Sequence, residues 1–353
     1  MIKKTAISAL LVGLLLCGLP SSMWAGNPDR QGEAGAAELL LNPFARSAGF
    51  HTQNTSLISG LEAMRLNVAG LVRMAKTQIV ISNARYLEGS GINLNAVGVA
   101  QRMGENGVLG ISLMAVDFGD IQVTTVNQPE GTGATFSPNF FHLGLAYAHI
   151  FENKVSVGMT VRLISESTAD LSASGIALDA GVQYVTGPED NFRFGISLRN
   201  VGTPMVFGGE GLSFRTTNPD GTINYDLSFD NRGARFELPS VLNIGASYDF
   251  LIGAKHRLTV LGNFTSNSFS RDALGGGIEY SFSDMFMLRG AYKQDLGASV
   301  ANIDENVYTG LSFGASFQVP LSRKSETKFG VDYAYRVTNP WSGTHNLSIR
   351  FDL

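Results

Sequence analysis

The residues able to do chemistry are few and badly spaced for catalysis. Five histidines stand at positions 51, 142, 149, 256 and 345, and no two have the spacing of an HExxH metal helix. The single cysteine, Cys17, lies in an apolar leader, so the mature chain has no thiol for a metal, a nucleophile or a disulfide. On a strand, His142 and His149 fall on opposite faces, and no serine stands where a histidine and a third, orienting group would activate it. The glycine clusters GGEG (208–211) and GGG (275–277) lack the phosphate-cradling spacing followed by Lys-Ser/Thr. Gly275, Gly276 and Gly277 open an extended segment and are expected to permit a bend or bulge. No catalytic residue, cofactor or metal ion is expected, and the chain is not read as an enzyme.

The charged residues follow a pattern instead. In VSVGMTVRL, Val155, Val157, Met159, Val161 and Leu163 alternate with Ser156, Thr160 and Arg162. NFRFGISLRN sets Phe192, Phe194, Ile196 and Leu198 against Arg193, Ser197 and Arg199, and KFGVDYAYRV sets five apolar residues against Lys328, Asp332 and Arg336. A period of two is that of a strand with unlike faces. The polar face carries Arg162, Asp179, Arg193, Arg199, Glu279, Arg289, Asp332, Arg336 and Arg350 among Gly, Ser and Ala. That mixture suits a narrow interior in which unlike charges pair and hold a barrel shut; a charged solute path is the competing reading.

The elements that must carry this face are fourteen strands, near 77–83, 92–103, 106–117, 138–150, 154–166, 174–186, 191–200, 239–250, 256–267, 272–283, 285–294, 307–318, 327–337 and 343–353. The links alternate between tight turns, such as GEN (104–106), EN (152–153), GPED (187–190) and SD (283–284), and longer polar loops, the longest near 118–137 and 201–238. One end with turns and one with loops is the periplasmic and extracellular asymmetry of a transmembrane barrel. The last segment, NLSIRFDL, keeps Leu347, Ile349, Phe351 and Leu353 on one face, as does the final strand of bacterial outer-membrane barrels. The expected fold is therefore all-β, a transmembrane antiparallel barrel spanning 76–353, with a soluble β-sandwich as the alternative.

Residues 1–25 read as a signal peptide, with Lys3 and Lys4 before an apolar run and cleavage expected after Ala25, although Met23 is large for the position three before the cut. Leu16 before Cys17 argues against lipidation. Loss of the leader removes two lysines and no acid, leaving 24 basic against 30 acidic side chains. No basic run points to nucleic acid. A content of 41 glycines, 10% aromatics and only 11 prolines suits many short strands with aromatic belts.

Residues 26–75 break the period of two and are expected to form a plug or hatch in the lumen or at its periplasmic mouth, with Ser56 or Ser59 capping a turn through Leu61, Met64 and Arg65. In NPFARSAG (42–49), Pro43 ends the helix-prone AAELLL. Arg46 offers a fork of donors for inward carboxylates or carbonyls, and Gly49 lets the backbone turn. Asn42, Pro43, Arg46, Gly49, Asn67 and Gly70 are the candidate residues of this hatch. In the loop at 201–238, Phe207, Phe214, Tyr225 and Phe229 alternate with Asp, Asn and Gly, a candidate protein-binding lid that a self-packed loop explains equally well.

ARSAG (45–49) followed by NVAGL (67–71) before the first strand resembles the PorV/PorQ group of FadL-like outer-membrane barrels, whose usual text is ARAAGMGGA and then NPAGL. Val68 replaces the Pro, and Phe50-His51 replaces the glycine-rich continuation. The resemblance implies a fourteen-stranded barrel with an N-terminal hatch in the outer membrane of a Gram-negative, Bacteroidetes-type bacterium. It also implies a role in type IX secretion, with a translocon and cargo proteins bearing a C-terminal signal as partners, and outer-membrane lipid around the wall. Other FadL-like proteins move hydrophobic solutes past a gating hatch, which is the alternative expectation.

Overall fold

The computed structural model describes residues 26–217, 226–297, 306–321 and 327–353. Fourteen antiparallel strands close into one barrel. They are β1 (Thr77–Tyr86), β2 (Ile92–Met103), β3 (Gly107–Asp117), β4 (Asn139–Phe151), β5 (Val155–Thr168), β6 (Leu171–Thr186) and β7 (Phe192–Gly202). The second half holds β8 (Val241–Ile252), β9 (His256–Asn267), β10 (Ala273–Phe282), β11 (Phe286–Asp295), β12 (Tyr308–Pro320), β13 (Lys328–Thr338) and β14 (Thr344–Asp352). Each strand pairs with its sequence neighbour, and β14 closes on β1 through Ile81↔Ile349 and Ile79↔Phe351, so no edge is left to seek a partner.

Alternation decides which side chain meets lipid. Ile111, Leu145, Met159, Ile278 and Phe313 are about half exposed on the outer face, while Ser112, Arg162, Glu279 and Ser312 point inward. Near the turn end, outward aromatic pairs cross neighbouring strands: Phe286–Phe317 at 4.9 Å and Phe329–Phe351 at 5.2 Å. Tyr248 and Phe250 add a further contact at 4.7 Å on one strand. They form part of the aromatic girdle expected at a bilayer interface.

The turn residues explain the tight end. Glu152 and Asn153, and likewise Ser283 and Asp284, have φ near +50 to +60°, which the right-handed twist of a two-residue hairpin requires. Short and long links do not alternate strictly. The link expected at 167–173 is a two-residue turn, Ala169 and Asp170, because β5 and β6 stay paired out to Thr168↔Leu171. The glycines at 275–277 make no bulge: β10 keeps register with both neighbours, and the irregularities lie between Leu178 and Ala180 and between Tyr308 and Ser312.

Candidate functional site

Residues 36–72 are almost wholly buried inside the ring of strands, against inward glycines. A Cβ on Gly98 would meet Leu61, one on Gly110 would meet Met64, and one on Gly195 would meet the Thr55 carbonyl. One on Gly275 would meet Gln53 at 2.4 Å. The wall is thus small where the segment is large, and that is the use of Gly275 and Gly277, which face Gln53 and Phe50. The segment folds into short 3-10 turns at Ala37–Leu40, Leu61–Arg65 and Val68–Val72 and one helical turn, α1 (Ala45–Ala48). Residues 26–34, expected in the lumen or at its periplasmic mouth, lie at the loop end, where Gly26 bridges to Arg271 and Ala34 to Glu237.

The candidate residues of this segment have distinct roles. The 3-10 turn stops at Leu40, and Leu41 is already extended before Asn42-Pro43. The Asn42 Oδ1 accepts from Phe44 N at 3.0 Å, while Asn346 Nδ2 donates to the Asn42 and Pro43 carbonyls at 3.1 and 2.8 Å. Asn67 is the busiest: its Oδ1 accepts from Ala69 N, and its Nδ2 donates to Thr55 O and to Val182 O of β6, both at 3.1 Å. Gly70 is required by crowding, since a Cβ there would lie 2.2 Å from the Ile58 carbonyl oxygen.

Three expectations are corrected. Arg46 does not reach a wall carboxylate; its Nε lies 3.8 Å from Glu62 and its Nη1 3.4 Å from Ser59, so it braces the segment internally. Gly49 has an ordinary helical φ of −63°, and glycine is needed because a Cβ would meet Arg289 at 3.0 Å and the Gly314 Cα at 3.1 Å. Neither Ser56 nor Ser59 caps the turn at Leu61–Arg65, which begins at Gly60 with φ +73°.

Wall residues tie the segment down, among them Arg162 and Arg199, which the alternation placed inward without a partner, and Gln183, which the sequence reading missed. Gln183 donates to Thr55 O and Ile58 O at 3.1 and 3.0 Å, Arg162 to Met64 O at 3.1 Å and Arg199 to Arg65 O at 2.6 Å. Unlike charges also pair along the wall: Arg289–Glu279 at 3.0 Å, Arg193–Asp249 at 2.7 Å and Arg350–Asp332 at 3.7 Å. His142 sits between segment and wall, its Nδ1 3.3 Å from Arg65 and its Nε2 3.1 Å from Glu38. Because arginine only donates, Nδ1 accepts and the Nε2 hydrogen is directed at Glu38.

The lumen has two unlike sectors. Along β1–β4 the inward apolar residues Val80, Ala84, Leu94, Ala96, Ala100, Val108, Met114, Val116, Ala146, Ala148 and Ile150 form one cluster with Phe44, Leu61, Met64, Leu66 and Leu71 of the segment, interrupted by Gln78, Ser82, Ser112 and His142. Phe118 and Phe140 flank it at the loop end and Met74 at the turn end, so this apolar seam runs the height of the barrel. From β5 to β14 the wall is dominated by the amides, hydroxyls and ion pairs described above. Among the described residues no group of three or more His, Cys, Asp or Glu is placed to hold a metal ion.

The aromatic loop residues do not form one group. Phe207 packs on Phe236 at 5.7 Å beside Met205 and Leu238, whereas Phe214 and Phe229 stack at 5.8 Å and 23° on an exposed hairpin of Ser213–Thr217 with Asp226–Asp230. Tyr225 lies outside the described residues.

No protein-family profile matches the chain, and no curated protein matches it. Solved structures do. The CymD monoaromatic hydrocarbon channel is 16% identical over 88% of this chain and 97% of its own, with a TM-score of 0.51. A Pseudomonas aeruginosa FadL homologue is 11% identical over 88% and 98%, with a TM-score of 0.52. The Pseudomonas putida toluene transporter TodX is 11% identical over 92% and 98%, with a TM-score of 0.51. The chain is an outer-membrane β-barrel with the FadL-type fold. The name of one of these structures describes a channel and that of another a transporter, and at such identities the likeness concerns the fold.

Proposed function

We propose that this barrel is a gated conduit for small hydrophobic molecules across the outer membrane, with residues 36–74 as the hatch. The observation that carries the reading is the apolar seam along β1–β4, flanked by Phe118 and Phe140 at the loop end and Met74 at the turn end and filled by hatch side chains. A hydrophobic solute gains by leaving water along such a surface, and a polar lumen wall offers it nothing comparable. The fold likeness to hydrocarbon channels supports the same reading. The test is uptake of a neutral aromatic hydrocarbon into proteoliposomes. Ala148→Phe, which fills the seam from the wall, is expected to slow uptake at least tenfold. Uptake no faster than in empty liposomes, or unchanged by Ala148→Phe, refutes the reading.

A second reading, contact with secreted cargo delivered by a type IX translocon, is favoured by the exposed Phe214–Phe229 stack and by the ARSAG and NVAGL resemblance. Met205 and Phe236 belong to a buried loop-end cluster, so the informative deletion is 213–230, which removes the hairpin and spares that cluster. Unchanged cargo secretion and surface attachment after that deletion counts against the docking role.

A further inference from the structure

The outer wall has a groove of its own at the turn end. It holds about 430 Å³ where the β2–β3 turn meets the β4–β5 turn, and Asn106, His149, Phe151, Glu152, Lys154 and Tyr184 are in its lining. Ile150 N donates to Asn106 O and Val185 N to Lys154 O, both at 2.9 Å, so the sheet bonding continues into the turns and gives the groove a fixed floor. Its height is that of the bilayer interface. Phe151, the last residue of β4, is half exposed on the outer face and packs on His149 at 4.7 Å, at the same level beside a turn as Phe286 of the aromatic girdle.

Three polar groups in this lining are left over. The Tyr147 hydroxyl lies 3.3 Å from His149 Nδ1, which occupies that nitrogen within the wall; Nε2 has no hydrogen-bond partner among the described residues. Lys154 and Glu152 share the groove, yet neither forms an ion pair with the other or with any described residue. An unpaired ammonium, an unpaired carboxylate and a free imidazole nitrogen complement a head group that carries both charges, its phosphate against Lys154 and His149 and its primary ammonium against Glu152. A purely anionic head would set its charge beside the Glu152 carboxylate, and a trimethylated ammonium has no hydrogen to give it. Chains leaving such a head lie along Tyr147, Leu145 and Met159, all about half exposed on the outer face. We propose that this groove is a binding site for a phospholipid with a zwitterionic phosphoethanolamine head, held in the leaflet on the turn side. The site lies outside the lumen and does not depend on what the seam carries.

The test is native mass spectrometry of the full-length mature protein, released from a neutral detergent after equilibration with equal amounts of dioleoyl phosphatidylethanolamine, phosphatidylcholine and phosphatidylglycerol. The phosphatidylethanolamine adduct is expected to exceed each of the others at least fivefold. Lys154→Gln and His149→Phe are each expected to cut that adduct several-fold, and Glu152→Gln to remove the preference over phosphatidylcholine. Glu152 and Lys154 are exposed turn residues, so their variants are expected to keep the heat-resistant barrel form. Equal retention of the three lipids shows annular lipid only and overturns the site. An excess of phosphatidylglycerol overturns the zwitterionic head, and variants that retain phosphatidylethanolamine like the parent overturn the assigned ligands. Displacement by soluble glycerophosphoethanolamine at matching concentration shows a free head-group site and overturns the lipid. Hydrocarbon uptake is expected to be the same in all three variants, so failure of the conduit reading leaves this site standing.

Discussion

Gly181→Ala places one methyl group where the hatch is held most tightly. The added Cβ would lie 2.0 Å from Asn67 Oδ1 and 3.0 Å from its Cγ, so the Asn67 amide must leave. That amide accepts from Ala69 N at 3.3 Å and donates to Thr55 O and Val182 O at 3.1 Å each. Three hydrogen bonds at about 1 kcal/mol each make about 3 kcal/mol. Alanine's advantage over glycine in a strand returns roughly 0.5–1 kcal/mol. The net, about 2 kcal/mol, is roughly a thirtyfold rise in hatch opening. Hydrogen exchange resolved to peptides within 55–72 reads it directly, with β6 amides as the internal reference, since their ladder is untouched. The double variant Asn67→Ala/Gly181→Ala has no clash left and is expected to exchange no faster than Asn67→Ala alone. Additive effects in the double variant, or parental exchange in Gly181→Ala, refute the argument that this amide, packed on this glycine, holds the hatch.

Three other outcomes follow from the same geometry. Arg162→Leu leaves Asp179 buried without its ionic partner and is expected to cost about 3–5 kcal/mol, read as earlier loss of the heat-resistant barrel form on gels; Arg162→Leu/Asp179→Leu is expected to recover most of it. Ile111→Lys puts a charge on the lipid face of β3 and is expected to cost about 2–4 kcal/mol of folding stability in bilayers if it lies near the midplane. His51, in the hatch, is held well below its ordinary value by burial and then by Lys293 and Arg336, so it is neutral when packed. As pH falls through about 6.5 the released hatch takes up the proton first, and the packed state loses up to about 1.4 kcal/mol per pH unit until it is protonated too. Exchange of residues 45–55, after correction for the intrinsic slowing of amide exchange in acid, is expected to rise between pH 7 and pH 5. His51→Asn, compatible with the φ of 50° there, is expected to flatten that rise.

The wall was legible because each strand repeats one physical statement, apolar toward lipid and polar or small toward the lumen. Segments such as VSVGMTVRL make it without ambiguity. The β5–β6 hairpin was not legible: Ala169 holds a left-handed conformation usually marked by Gly or Asn, and the small polar residues around it read as loop. The hatch could be placed by its lack of alternation, but its fit depends on contacts more than a hundred residues apart, such as Gln183 with Thr55. Gly49 shows the limit clearly. Its type marks a tight spot, and only the position of Arg289 reveals that the tightness is a close approach rather than a turn.

The seam also constrains what the closed state is. Besides Val80, Leu94, Val108, Met114, Val116 and Ile150, its wall carries Ala84, Ala96, Gly98, Ala100, Gly110, Gly144, Ala146 and Ala148, residues that leave room inside the barrel, and the hatch fills that room through Leu61, Met64 and Leu71. Close packing then makes the hatch an interchangeable occupant: when those three side chains leave, the space they vacate is apolar, continuous and ready for another hydrocarbon. Leu61→Ala separates packing from passage. It is expected to cost the closed state about 2–5 kcal/mol, because a buried leucine is truncated beside Gly98, which cannot fill the gap. The same cavity is expected to raise uptake of a small aromatic hydrocarbon and to take up benzene in the closed protein. A variant that loses hatch protection without gaining uptake would mean that the seam is a core and not a path.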